Sequence, residues 1–213
     1  MHVVVAGGHG QIAMRLHPLL VERGDSVRAL IRNPDHADDV RAAGAEPTYC
    51  DLEAESDISA AVGEADAVVF AAGAGPGSGA ERKRTMDRDG AVKLIDAARA
   101  NGIARYVIVS SIGAGSPPAE GGDVFDEYLR AKAAADEAVA GSGLDFTIVR
   151  PGSLTDEPPS GLVTAGETVE RGRIPRADVA AVLDAVLHTD STIGKTFELV
   201  SGETPIDEAL ASV

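Results

Sequence analysis

The chain has 213 residues with 34 acidic and 19 basic side chains, a formal charge of −15, and 44 % apolar residues. That length fits one domain of ordinary globular composition, and the excess of acid argues against a nucleic-acid binder, which gathers Lys and Arg along phosphates. No apolar run approaches the ~18 residues of a membrane span and no signal-peptide pattern opens the chain; the lone cysteine, Cys50, excludes an internal disulfide and suits a reducing cytoplasm.

Short β-branched runs alternate with amphipathic stretches. Val3–Ala6 predicts the first strand, and Ile12, Leu16, Leu19 and Leu20 then share one face of a helix, with Pro18 inside it as an expected kink. Strands follow at Ser26–Ile31, more weakly at Glu46–Tyr49, and at Ala67–Ala71. Val92, Ile95 and Ala98 mark the next long helix, Tyr106–Ser110 a strand, and Leu129, Ala133 and Ala140 a further helix. Phe146–Val149, a helix through Val179, Leu183, Val186 and Leu187, and Phe197–Val200 complete the series. Runs that are apolar throughout suit strands buried on both faces of a parallel sheet. Their alternation with helices predicts right-handed crossovers and a Rossmann-type, doubly wound α/β sheet with helices on both faces. Three Gly- and Pro-rich stretches, 73–79, 113–122 and 152–161, read as loops. Each follows a strand, which gathers them at the carboxyl edge, where open α/β sheets bind ligands. Residues 1–213 are expected to form one domain, with a small substrate-pocket portion from about residue 151.

The first strand runs into Gly7-Gly8-His9-Gly10-Gln11-Ile12-Ala13. Glycines at a strand-to-helix turn let the backbone approach a pyrophosphate, whose charge then meets the helix N-terminus. The spacing Gly7-x-x-Gly10-x-x-Ala13, in that context, points to a dinucleotide; His9 is expected at the loop surface. An NAD site usually carries Asp or Glu at the end of the second strand, for the ribose 2′-hydroxyl. Here the chain reads Leu30-Ile31-Arg32-Asn33-Pro34. Arg32 suits a 2′-phosphate, so NADP (NADPH) is expected in preference to NAD. After the third strand, Asp51 and Leu52 suit the amine and face of adenine, although Asp51 fits equally well as a cap for the following helix.

Tyr128-Leu-Arg-Ala-Lys132 sets a phenol and an ammonium at i and i+4 on one helical face. A nearby lysine charge favours the phenolate, which suits a tyrosine that gives a proton to a carbonyl being reduced or takes one from an alcohol being oxidised. Ser110 or Ser111, at the end of the preceding strand, adds a hydroxyl for the reacting oxygen, although strand-end serines also serve as caps. Asp123, Asp126 and Glu127 read as an acidic first turn that complements the helix dipole. The five histidines show no metal-ligand spacing, so no metal site is expected. Cys50 reads as a strand-end packing residue.

With these motifs assembled, the sequence resembles the short-chain dehydrogenase/reductase superfamily. The likeness is to its atypical branch of small NAD(P)H-binding proteins, often labelled epimerase/dehydratase-like or sugar-epimerase-like. It rests on Gly7–Gly10, Val27–Arg32, Asp51-Leu52, Ala71–Gly73, Val109–Ser111, Tyr128-x-x-x-Lys132, Arg150–Glu157 and Ile174–Ala180, and covers essentially the whole chain. The resemblance implies that Gly7, Gly10, Gln11 and Ile12 cradle the pyrophosphate and Arg32 the 2′-phosphate. It sets Asp51 and Leu52 at the adenine and Ala71, Ala72 and Gly73 at the adenosine ribose. Lys132 would hold the nicotinamide ribose, Tyr128 transfer the proton with help from Ser111 or Ser110, and Pro151, Gly152, Ser153 and Leu154 lie against the nicotinamide. Ala13 replaces the third glycine, and the stretch between Ser111 and Tyr128 is long. Only 63 residues follow Arg150 and the chain has no Trp, which leaves little room or stacking surface for a nucleotide sugar.

The expected function is an NADP-dependent oxidoreductase of a small carbonyl or alcohol, acting as a monomer or homodimer on a small-molecule substrate, with no nucleic-acid or membrane partner. An epimerase/dehydratase-type enzyme and a non-catalytic NADP sensor are the alternatives.

Overall fold

Val3, Val4 and Val5 are fully buried in β1 (His2–Ala6) because helices cover both faces of the sheet it occupies. The computed structural model describes every residue except Pro76 and Glu120, which fall inside the expected loops 73–79 and 113–122. After β1 come α1 (Ala13–Glu22), β2 (Ser26–Ile31), α2 (Ala37–Ala42), β3 (Glu46–Tyr49), α3 (Ser59–Val62) and β4 (Ala67–Phe70). A short α4 (Ala80–Arg82) leads through a π-helical segment, Lys83–Asp89, into α5 (Gly90–Ala100), then β5 (Arg105–Val109) and α6 (Val124–Ala140). The last third holds β6 (Asp145–Pro151), β7 (Ser153–Thr155), β8 (Leu162–Gly166), β9 (Arg173–Pro175), α7 (Arg176–Leu187), β10 (Lys195–Ser201), β11 (Thr204–Pro205) and α8 (Ile206–Ala211).

The main sheet has the order β11-β8-β10-β6-β5-β4-β1-β2-β3. From β3 to β10 every pairing is parallel, and β8 closes that side antiparallel to both β10 and β11. Alternate strand residues feed opposite layers, as the period of two requires. Val3 and Val5 pack with Leu16 and Leu20 of α1 and Val179, Leu183 and Val186 of α7. Val4 and Ala6 face the other way, toward Phe70, Leu94, Tyr106 and Val139. This is the doubly wound Rossmann arrangement. Strand order reverses at β1, which lies between β2 and β4, so the turns after β1 and β4 open a crevice at the carboxyl edge.

Three expectations are corrected. Residues 153–155, inside the expected loop 152–161, form β7 and pair with β9 in a separate two-stranded parallel sheet. A three-residue run of Ser, Leu and Thr is too short to carry a periodic signal. Ala140 of α6 is exposed, and the inward face is Leu129, Lys132, Ala135, Asp136 and Val139; two charged residues interrupt the apolar stripe. Strands β8, β9 and β11 have no counterpart among the expected elements. Pro18 is accommodated within α1, which runs unbroken from Ala13 to Glu22. Among the described residues no helix is long and apolar enough to cross a membrane.

Candidate cofactor and active site

The turn after β1 is glycine for steric reasons that can be read atom by atom. Gly7 has φ +80°, and a Cβ on it would lie 2.6 Å from Ala72 Cα. A Cβ on Gly8 would lie 2.5 Å from the Ala29 methyl, while the Gly8 N–H donates to Leu30 O at 2.9 Å. Gly10 N donates back to Gly7 O at 2.8 Å, closing the turn. The loop therefore sits flush on the ends of β2 and β4, with Ala71 and Ala72 directly beside it and Gly73 exposed beyond them. Helix α1 opens with no side-chain cap on its first turn, Gln11 exposed and Ile12 buried at its start. A helix N-terminus without a side-chain cap, reached through a turn of three glycines, suits an anion such as a pyrophosphate. Gly7→Ala adds both positive-φ strain and a backbone clash, about 1–3 kcal/mol for the strain alone. Its melting temperature should fall by several degrees and dinucleotide binding should weaken. Gly10→Ala, whose Cβ would lie 3.0 Å from Gly7 O, should cost visibly less in the same thermal scan.

At the far end of the crevice Arg32 is exposed, and its Nη1 lies 3.1 Å from Glu53 Oε2. Glu53 also accepts from Arg82 Nε at 3.0 Å and Thr85 Oγ1 at 2.9 Å. Asp51 Oδ1 accepts from Glu53 N and Ala54 N and so closes a turn at 52–54; it does not cap a helix, since the next one, α3, begins at Ser59. Leu52 is buried in the core beside Cys50 and Ile58. Burial, reinforced by Glu55 and Asp51, pushes the Cys50 thiol up to about 12, which leaves it an inert packing group. His9 stacks on His36 with ring centroids 3.6 Å apart and meets Asp39 Oδ2 at 3.0 Å.

The Tyr128–Lys132 pair stands on α6 as its spacing requires, after a first turn closed by a capping box between Asp123 and Asp126. Lys132 is only 3 % exposed. Its Nζ donates to Val109 O at 2.9 Å and lies 3.3 Å from Asp87 Oδ1. Burial opposes that charge, but Tyr128, Asp87 and Asp136 outweigh it and hold the ammonium's pKa above the ordinary lysine value. Asp87 is itself 1 % exposed and accepts Ala74 N at 3.1 Å through its other oxygen, which fixes the base of the 73–79 loop.

The two serines separate cleanly. Ser110 is buried and donates to Asp136 Oδ2 at 2.9 Å, and Arg150 Nε donates to the same oxygen at 2.9 Å. Burial pushes the Asp136 carboxyl above the usual carboxylate range, against Ser110, Arg150 and Lys132, which all favour its charge. Ser111 is half-buried, and the one hydrogen bond its hydroxyl makes among the described residues is to Ile112 O at 3.2 Å. Sequence reasoning missed Asp87 and Asp136. That each of these carboxylates faces inward is invisible in the sequence until the helix faces are known.

Ser110, Ser111, Tyr128 and the segment Pro151–Leu154 border one cavity of about 330 Å³, together with Phe125, Arg171 and Arg176. Gly152 lets that segment close against β9's approach: a Cβ there would lie 2.4 Å from Gly172 O. Among the described residues the Tyr128 hydroxyl makes no hydrogen bond with protein, so it is available at the cavity. The volume is at the small end of ligand pockets.

A parallel sheet reversing at β1, a glycine turn into a helix lacking a side-chain cap, and a cavity at the same edge define a dinucleotide-binding Rossmann protein. The chain belongs to the NAD(P)H-binding family, whose model matches residues 7–190. It is 40 % identical over 212 residues to the uncharacterized sugar epimerase YhfK of Bacillus subtilis, covering 99 % of each chain. Among solved structures, a putative NAD-dependent epimerase/dehydratase from Bacillus halodurans superimposes with a TM-score of 0.94 at 39 % identity, over 100 % of both chains. The oxidoreductase ylbE from Lactococcus lactis does so with a TM-score of 0.87 at 28 % identity, covering 100 % of this chain and 96 % of that one. The family is thus one of oxidoreductase- and epimerase-like NAD(P)H-binding proteins.

Proposed function

We propose that the protein is an NADPH-dependent reductase of small carbonyl compounds, with Tyr128 as the proton donor. The observation that carries this reading is the Tyr128 phenol, without a protein hydrogen-bond partner among the described residues, on a cavity of about 330 Å³ that also holds Ser111 and Pro151–Leu154. Bound NADPH would supply the hydride that adds to the carbonyl carbon. Tyr128 gives its phenolic proton to the carbonyl oxygen, so that the carbonyl becomes an alcohol. Ser111 donates a second hydrogen bond to that oxygen, and Ser110, committed to Asp136, holds the strand end in place. Lys132 has three donors; one goes to Val109 O while the charge faces Asp87 Oδ1 at 3.3 Å, and a remaining donor would serve the nicotinamide ribose. An epimerase role, the name carried by two relatives, has less support here, since only 63 residues follow Arg150 and the chain has no Trp to stack a nucleotide sugar.

The test is NADPH consumption by the purified protein with a panel of aldehydes, ketones and quinones. Tight NADPH binding with no turnover on any class would leave a dinucleotide-binding module instead. Arg32 supports the choice of NADPH. In Arg32→Ala, Glu53 stays held by Arg82 and Thr85 and would face the 2′-phosphate unbalanced. A charge-assisted contact is worth about 1.5–3 kcal/mol, so NADPH should bind at least ~10-fold more weakly with NADH affected little. Fluorescence titration of both cofactors reads this, and an unchanged NADPH-to-NADH preference sinks the assignment.

A further inference from the structure

Resting on the reductase reading, we propose that the substrate carries a terminal oxyanion, a carboxylate or phosphate ester, bound by Arg171 with Arg176 beside it, and an apolar body that lies against Phe125. The chain is strongly acidic, at −15, yet among the described residues the only charged side chains lining the cavity are these two arginines. Such a local reversal of sign draws anions to the site.

Arg171, exposed on the cavity lining, makes no hydrogen bond or ion pair among the described residues, and its Nη2 lies 3.9 Å from where a Cβ on Gly113 would stand. A planar fork of five donors left without an acceptor is built for a carboxylate or phosphate. Arg176 has one partner among the described residues, the exposed Asp156, at 3.1 Å. Asp156 also pairs with Arg15 of α1 at 3.3 Å, so the Arg176 charge is partly matched by an ion pair and the test belongs on Arg171.

The apolar half of the argument is equally local. Phe125 is 57 % exposed and Leu154 36 %, both on this cavity, in a chain with no Trp and few other aromatics. The Phe125 and Tyr128 rings lie 5.9 Å apart at 32°, forming a tilted wall beside the proton donor. An aromatic or aliphatic carbonyl compound packed on that wall puts its carbonyl at Tyr128 and its charged end toward Arg171.

The experiment compares 4-formylbenzoate, 4-formylphenyl phosphate and methyl 4-formylbenzoate. Binding of each to the NADP⁺-loaded protein is measured by calorimetry, and reduction of each is followed with NADPH. At least one anion should bind ~10-fold or more tightly than the neutral ester, and which one does identifies the carboxylate or the phosphate as the source. Arg171→Gln should abolish that preference and Arg171→Lys retain part of it, with the NADP⁺ dissociation constant unchanged in both. An ester that binds as tightly as both anions, no binding of either anion, or a preference intact in Arg171→Gln overturns the proposal. Failure of the underlying reading looks different. Selective binding of an anion without NADPH consumption removes the reductase and keeps the anion site, whereas equal reduction of ester and anions removes the site and keeps the reductase.

Discussion

Tyr128→Phe is expected to lower kcat for carbonyl reduction by about 10²–10⁴, the range typical of a lost general acid. The change should leave NADPH affinity and folding nearly intact. The ring's packing does not depend on the hydroxyl: its neighbours are Phe125, with Lys83 Nζ 5.2 Å and Lys132 Nζ 5.9 Å from its centroid. Phenylalanine keeps that shape and both cation–π contacts. The hydroxyl has no hydrogen-bond partner among the described residues, so its removal strands no protein donor or acceptor. Loss therefore falls on the chemical step, in kcat rather than in cofactor binding. Steady-state kinetics and NADPH titration on the same preparation separate the two. A variant that reduces carbonyls at the parent rate would place the proton donor elsewhere, with Ser111 the next group to change.

Much of this site is visible in the residues alone, because its parts are local in sequence. Val3–Ala6 followed by glycines is a strand and a turn by composition, and the structure adds why Gly7 and Gly8 are required, Ala72 against the first and the Ala29 methyl against the second. The Tyr128–Lys132 spacing needs nothing but helical geometry. What sequence does not reveal is which group opposes which across long separations. Ser110 and Ser111 are the same letter twice, and Asp136, 26 positions from Ser110, decides their roles. The inward face of α6 defeats apolar periodicity because Lys132 and Asp136 sit on it, each compensated by a partner from another element. Arg32 reads as a free cation, yet Glu53 on the turn after β3 is already paired with it. Arg171, between two short strands that carry no periodic signal, could not be placed on any cavity before the β7–β9 pair was seen.

Asp87→Asn is expected to destabilise the protein by about 3–5 kcal/mol, the cost of leaving one buried charge without its partner. For a chain of this size that corresponds to a melting-temperature drop on the order of 10 °C. Lys132 and Asp87 are 3 % and 1 % exposed, so water cannot replace the lost carboxylate. The substituted amide preserves the shape of the side chain and can still accept Ala74 N, so the loop at 73–79 keeps its anchor and the effect isolates charge. Lys132→Met strands the other partner: Asp87 Oδ1, which has no hydrogen bond among the described residues, then loses its only counter-ion there. Each single change should therefore be costly. The double variant, with neither charge left, should be more stable than the sum of the singles by about 2 kcal/mol, within the range for contacting pairs. Denaturant unfolding of the four proteins measures that coupling, and additive losses would mean that the pair contributes nothing as a pair. Carbonyl reduction should respond differently: it should fall in Lys132→Met, which removes the ammonium, and stay low in the double variant. Restored packing does not restore the ammonium that the proposed reaction uses at the nicotinamide ribose, so recovery of stability without recovery of turnover would assign Lys132 a part in the reaction apart from its part in the fold.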